Sequence, residues 1–198
     1  MNQPITFMSD GGDTVRQLQW YLNPHSEHLL DWFHITMRLT VLGQYVKGLI
    51  RLDPELGEQI QKELELTKWN LWHGKVSRAL YRFEDVEMLM YNFDESYPNF
   101  KKLEKAVYEF QAYILRNAPM IRNYGERYRA GQVISTAFVE SQVNQLLDKR
   151  FDKKQQMGWT PKGAHLLLQT RAKVLNQELV ATFRTWYPDF QNQHVRVN

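Results

Sequence analysis

The stretch PITFMSDGG at residues 4–12 decides how the chain begins to fold. Its first six residues predict a short strand, and the Asp-Gly-Gly that follows predicts a sharp turn, because glycine adopts backbone conformations that other residues avoid. A helix is predicted over 13–22, where apolar residues recur at helical spacing. The apolar run at 28–33 predicts a second, buried strand, and a helix follows over 34–50. This strand-helix-strand-helix order is typical of a mixed α/β sheet.

Residues 53–118 predict helices without a strand. The Asp-Pro pair at 53–54 supplies a cap and then a proline suited to the first helical position. Helical patterning continues to residue 91 with a break near Gly74, and a further helix is predicted over 99–118. The aromatic side chains of this segment are expected in the core, with ligand stacking as the alternative. They are Trp69, Trp72, Tyr81, Phe83 and Tyr91.

The last third predicts a basic loop over 123–131, then helices over 135–151 and 160–186. We therefore expect a fold between α/β and mainly α. Its expected parts are a strand-helix-strand-helix core at 1–52, a helical segment at 53–122 and C-terminal helices at 123–198.

Composition excludes several classes of protein. The 198 residues are 43% hydrophobic and 24% charged, as in soluble globular proteins. No apolar run approaches the roughly 18 residues of a membrane span, and the N-terminus lacks the pattern of a signal peptide. The absence of cysteine excludes disulfides, thiolate zinc sites and thiol catalysis. No phosphate-binding P-loop, dinucleotide fingerprint, GxSxG or HExxH motif is present.

Charge is distributed unevenly along the chain. Residues 1–100 hold 9 Lys and Arg against 14 Asp and Glu, whereas 101–198 hold 16 against 8. A basic half predicts a polyanionic partner such as nucleic acid, and the alternative is an ordinary solvated surface. The segment 148–159 mixes basic and aromatic side chains, which suits contact with phosphates and bases. Its alternative is a solvated helix end.

Three carboxylates and one histidine are candidates for chemistry. Asp10 follows the first predicted strand, where ligands collect in open α/β sheets, although an aspartate there also serves a turn. Asp31 lies in an apolar run with His34 three residues on; the pair suits metal binding, orientation of catalytic groups or internal hydrogen bonding. Glu140 borders the apolar face of its predicted helix and joins Asp10 if that helix packs on the sheet.

Several segments taken together resemble a known family. They are FMSDGG at 7–12, DWFHITMR at 31–38, VES at 139–141, QMGWTPKGAH at 156–165 and LLQTR at 167–171. Their order resembles the C-terminal part of bacterial insertion-sequence transposases that have an Asp-Asp-Glu, ribonuclease-H-like nuclease domain. Within these the chain is most similar to the Kra-type family, which is distantly similar to Mutator-type transposases.

The resemblance implies roles for the candidate residues. Asp10 would be the second catalytic carboxylate and Glu140 the third, both as ligands of Mg²⁺ or Mn²⁺. Asp31 and His34 match an Asp-x-x-His element that shapes the site, and 53–118 would be the helical insertion before the glutamate. Two ions would activate a water or a 3′-hydroxyl for DNA cleavage and strand transfer.

DNA at transposon ends is the implied partner. Trp159 is the candidate for stacking on a base. The basic residues expected to hold phosphates are Arg127, Arg129, Lys149, Arg150, Lys153, Lys154 and Lys162. The expected location is the bacterial cytoplasm, in contact with the nucleoid and without a membrane partner.

One departure from the family pattern is important. The first catalytic aspartate belongs upstream of Asp10, and the nine preceding residues contain no acid. The sequence therefore leads us to expect a truncated protein that binds Mg²⁺ weakly, cleaves negligibly alone, and pairs with a second copy or a full-length transposase. The alternative is a non-enzymatic helical module that binds DNA or protein, in which Asp10 and Glu140 have no joint role.

Overall fold

A computed structural model describes residues 5–91, 97–147, 151 and 158–189. The chain divides into two compact units, Met1–Thr136 and Ala137–Asn198. The first unit thus takes in the predicted core, the helical segment and residues 123–136.

The first unit opens with a β-α-β arrangement. Strand β1 spans Thr6–Ser9, helix α1 spans Asp13–Leu22 and strand β2 spans Glu27–Leu30. The strands pair in parallel, with Thr6 opposite Glu27 and Ser9 opposite Leu30. The second strand is shorter than the predicted 28–33, because Asp31 already caps the following helix.

Helices make up the remainder of the first unit. They are α2 Trp32–Ile50, α3 Pro54–Trp72, α4 Val76–Tyr91, α5 Phe100–Asn117, a 3₁₀ turn Ala118–Met120 and α6 Tyr124–Arg129.

The predicted cap at Asp53 is confirmed, since its carboxylate accepts the Leu56 N–H at 3.0 Å. The break near Gly74 is also confirmed, and Gly74 has a positive φ of 68°. The predicted loop over 123–131 is wrong, because Asn123 accepts the Glu126 N–H and starts α6.

The core of the first unit lies among α2, α3, α4 and α5. Helix α3 packs on α2 and α4, and α5 packs on the same two helices. Phe83 on α4 meets Phe110 on α5 edge to face, with ring centroids 5.2 Å apart. The expectation that all five aromatics of this region are core residues is wrong in part: Phe83 is buried, but Trp69, Tyr81 and Tyr91 are exposed.

The second unit consists of helices among its described residues. They are α7 Ala137–Leu147, α8 Pro161–Leu175 and α9 Leu179–Trp186. Thr160 caps α8 by accepting the Gly163 N–H at 3.1 Å, as the Thr-Pro pair predicts. The predicted single helix over 160–186 is interrupted at Gln177, which has a positive φ of 59°. Arg171 on α8 donates to the carbonyls of Gln145 and Leu146 and so joins α8 to α7.

The described residues are mainly helical with two short parallel strands, which agrees with a class between α/β and mainly α. None of the described helices combines the length and the apolar character needed to cross a membrane.

Candidate functional site at the carboxyl end of the sheet

Asp10 and Asp31 each follow one of the two paired strands. Because the strands are parallel and Ser9 pairs with Leu30, the residues after them leave the sheet at the same edge. The Asp31 N–H donates to the Ser9 carbonyl at 2.8 Å, which extends the pairing by one hydrogen bond. The fold thus brings together two acids that lie 21 positions apart in the sequence.

Asp31 is a buried acid whose carboxylate is held by several donors. One oxygen, Oδ1, accepts the N–H of Phe33 at 2.9 Å and that of Thr136 at 3.2 Å. The other oxygen, Oδ2, accepts the Thr136 hydroxyl and lies 3.7 Å from His34 Nε2. Buried carboxylates require such partners, so Asp31 is built to cap α2 and to join it to the segment that leads into α7.

Asp10 has a different environment, because its side chain is exposed. Its Oδ1 accepts the Gly12 N–H at 2.9 Å, and its backbone carbonyl accepts the Tyr113 hydroxyl at 2.9 Å. Gly11 between them has a positive φ of 89°, as the Asp-Gly-Gly turn predicts. An exposed carboxylate on a fixed turn offers oxygen atoms to a cation, whereas Asp31 uses its oxygens within the fold.

Tyr113 and Arg38 complete this edge of the sheet, and sequence reasoning predicted no role for either residue. The Arg38 guanidinium lies over the Tyr113 ring, 4.2 Å from its centroid. Burial, together with the charges of Asp10 and Asp31, raises the pKa of Tyr113 to about 12. The phenol therefore remains protonated and acts as a donor at neutral pH. The signal that could have identified Tyr113 is a tyrosine beside the apolar stripe of α5.

The third predicted carboxylate, Glu140, lies on α7 in the second unit. It stands four residues after Thr136, the residue that donates to Asp31. Its partnership with Asp10 remains a prediction.

The predicted DNA-contact residues fall in both units. Arg127 pairs with Glu27 at the start of β2, and this hydrogen bond is the main reason that the pKa of Glu27 lies below its usual value. Arg129 is exposed at the end of α6, and Lys162 is exposed in the first turn of α8. Trp159 packs against Phe151 with ring centroids 5.8 Å apart. Four further predicted contacts, Lys149, Arg150, Lys153 and Lys154, lie outside the described residues.

A buried polar chain, which sequence reasoning missed, links α1 to both strands. Ser9 Oγ lies 2.7 Å from His28 Nε2, and His28 Nδ1 lies 2.7 Å from Gln19 Oε1. The Gln19 amide donates to the Ser26 carbonyl at 2.7 Å. Burial, reinforced by the Arg16 charge, lowers the pKa of His28, so the ring is neutral at pH 7.

Comparison with protein-family models, with curated proteins and with solved structures finds no match to this chain. The function is therefore inferred from the residues and from the geometry described above.

Proposed function

We propose that this chain is a transposase-derived domain of the Asp-Asp-Glu, ribonuclease-H-like class, which binds DNA and takes part in phosphodiester transfer in the intact protein. The observation that carries the proposal is the position of Asp10, exposed on a glycine turn at the carboxyl end of a parallel β-α-β unit. Ligands and catalytic groups collect at this edge in open α/β sheets. Asp31 at the neighbouring strand end and the helical segment before Glu140 are also in the order that the family resemblance implies.

The residues at this edge fit a divalent cation in their chemistry. Mg²⁺ and Mn²⁺ take oxygen ligands, and Asp10 presents an exposed carboxylate. Glu140 would supply the second carboxylate under this proposal. When bound, the cations would activate the attacking oxygen and stabilise the leaving oxygen of a phosphodiester.

The neighbouring side chains would position Asp10 rather than react. The Tyr113 hydroxyl donates to the Asp10 carbonyl and fixes the turn from the side of α5. Asp31 and His34 would hold the start of α2, next to the strand end that carries Asp10. Arg129 and Lys162 are exposed cations available for DNA phosphates.

The proposed cation site uses two carboxylates, those of Asp10 and Glu140, and DNA binding does not depend on it. The partner under this proposal is transposon-end DNA, together with a second copy of the chain or a full-length transposase.

Cation binding tests the joint role of the two carboxylates. Mn²⁺ affinity, measured by electron paramagnetic resonance, is expected to fall roughly tenfold in Asp10→Asn and in Glu140→Gln, which corresponds to about 1.4 kcal/mol for each variant. Asp13→Asn is the matched control, because Asp13 is an exposed acid three residues from Asp10. If both carboxylates bind the same cation, the variant that combines Asp10→Asn with Glu140→Gln should lose that one shared site and no other.

The proposal is contradicted if Mn²⁺ binding is unchanged in either Asp10→Asn or Glu140→Gln. DNA binding without any cation site would favour the alternative, a non-enzymatic helical module, for which the exposed apolar side chains of α1 give independent support.

A further inference from the structure

A basic cavity of about 400 Å³ lies beside the start of β2. Its walls come from α1, from the start of β2 and from the chain that leads out of α5. Three arginines, Arg16, Arg116 and Arg122, line it. None of the predicted site residues lines this cavity.

The three arginines retain donors for a ligand. A guanidinium has five N–H donors. Arg16 donates to Asn117 Oδ1 at 3.2 Å through Nη2, which leaves other donors on the same group. Arg116 forms no ion pair with the residues that the structure describes. Arg122 approaches Glu27 through Nε at 3.4 Å, and its side chain is about half exposed.

Glu27 also lines the cavity, but its charge is already compensated. Arg127 donates to the Glu27 carboxylate, and Arg122 lies beside the same oxygen. The arginine partners keep the pKa of Glu27 below its usual value, so the carboxylate stays ionised and paired. The cavity lining thus carries three guanidinium groups and one carboxylate that is already paired, so its net charge is positive.

An exposed indole and a neutral imidazole complete the walls. Trp20 is 61% exposed and lies one helical turn after Arg16, so the two side chains project from the same face of α1. His28 is occupied by Ser9 and Gln19, and its ring is neutral at pH 7. The cavity thus combines cationic donors with one aromatic face.

We propose that this cavity binds one nucleotide of an unpaired nucleic-acid strand. Arg16, Arg116 and Arg122 would hold the phosphate, and Trp20 would stack on the base. A cavity of this size is in the range of small-ligand sites, and aromatic stacking together with basic side chains is the usual means of holding single strands. A duplex hides the faces of its bases, so an unpaired strand is the partner that uses all four residues. The inference does not depend on the cation site, because neither Asp10 nor Glu140 lines the cavity.

Fluorescence anisotropy with a labelled 12-residue oligothymidylate, in EDTA and at low salt, tests this proposal. Arg116→Gln is expected to weaken binding about tenfold through loss of a charge-assisted contact, and the salt dependence should flatten by about 0.7 in log–log slope. Trp20→Leu is expected to weaken binding about tenfold through loss of stacking. Matched controls are Arg78→Gln and Trp69→Leu, exposed residues of the same types outside the cavity, each expected to change affinity less than twofold.

Two further readouts complete the test. A duplex of the same length is expected to bind more weakly and to be insensitive to Trp20→Leu. Binding of the single strand in EDTA, where no divalent cation is available, separates this proposal from the cation site. The proposal is overturned if Arg116→Gln matches its control, or if Arg116→Gln weakens binding while Trp20→Leu does not, because the cavity would then hold a phosphate alone.

Discussion

Helices α1 and α5 have the same kind of apolar pattern but bury it to very different extents. The apolar residues of α5 fall at spacings of three and four and are buried against α2 and α4; they are Phe100, Leu103, Val107, Phe110 and Ile114. On α1, Leu18 and Leu22 have comparable spacing, yet both are more than half exposed. Within α1, which the structure describes in full, the one buried residue is Gln19.

The difference teaches that amphipathic spacing predicts a helix but not which face is covered. Helix α1 is joined to the strands by polar groups, because Gln19 bonds to His28 and His28 bonds to Ser9. Helix α5 is held by apolar packing. The stability of the first unit should therefore depend on apolar volume in the helical bundle and on hydrogen bonds around α1.

The largest expected effect is a core truncation in the helical bundle. Phe83→Ala should lower the free energy of unfolding by about 3–5 kcal/mol, because a buried ring that packs on Phe110 is lost. Urea unfolding followed by circular dichroism measures this change. Tyr81→Ala on the same helix is the control, since Tyr81 is exposed, and its cost should stay within about 0.5 kcal/mol. Equal costs for the two variants would show that the bundle is packed differently.

A smaller effect is expected where a helix residue bonds to the sheet. The Tyr124 hydroxyl is buried and donates to the Leu30 carbonyl at 2.8 Å. Tyr124→Phe should cost about 1–3 kcal/mol, because a buried carbonyl loses its donor. Tyr128→Phe, at an exposed position, is the matched control for urea unfolding. A cost below that of the control would show that this bond adds no stability.

The buried His28 predicts a dependence of stability on pH. Its pKa is lower in the folded chain than in the unfolded one, so the unfolded chain binds more protons as pH falls below about 6.5. Stability should therefore decrease from pH 7.5 to pH 5.5, seen as a lower urea midpoint. His28→Gln retains polar groups for Ser9 and Gln19 and should lose most of this pH dependence. An unchanged dependence in His28→Gln would assign it to other groups.

The smallest expected effect is on the exposed face of α1. Leu18→Ala should change the free energy of unfolding by no more than about 0.5 kcal/mol, since Leu18 is 51% exposed. Urea unfolding at two protein concentrations provides the measurement. A loss above 1.5 kcal/mol that depends on concentration, a magnitude typical of an apolar side chain that becomes fully buried, would mean that a second copy covers this face.

The elements with clear end signals were predictable from the sequence. Asp53-Pro54 and Thr160-Pro161 begin helices as predicted, because a side-chain acceptor and a proline each act locally. The predicted start of α2 at residue 34 is wrong, because the helix begins at Trp32. An apolar run that predicts a strand can also form the first turn of a helix when Asp31 caps it. Local pattern also did not predict α6, which depends on an Asn123 cap.

Of the residues at the candidate site, only the acidic ones could be predicted from the sequence. Asp10 and Asp31 were singled out because each follows or interrupts an apolar run, and strand pairing places both at one edge. Tyr113 and Arg38 could not be found in the same way, because their contact joins α5 to α2 across 75 positions of sequence. The arginine-lined cavity likewise assembles from segments that are distant in the chain.

The glycine turn after β1 has a consequence for how the helical segment evolves. A Cβ at Gly11 would lie 2.6 Å from Asn117 Oδ1, and the Tyr113 hydroxyl holds the Asp10 carbonyl one residue earlier. Both contacts come from the last turns of α5, so the register of that helix sets the orientation of the acid-bearing turn. Insertions between α2 and α5 preserve these two contacts only if Tyr113 and Asn117 still face the turn after β1. We therefore expect the loops between α2 and α5 to vary in length more than α5 itself.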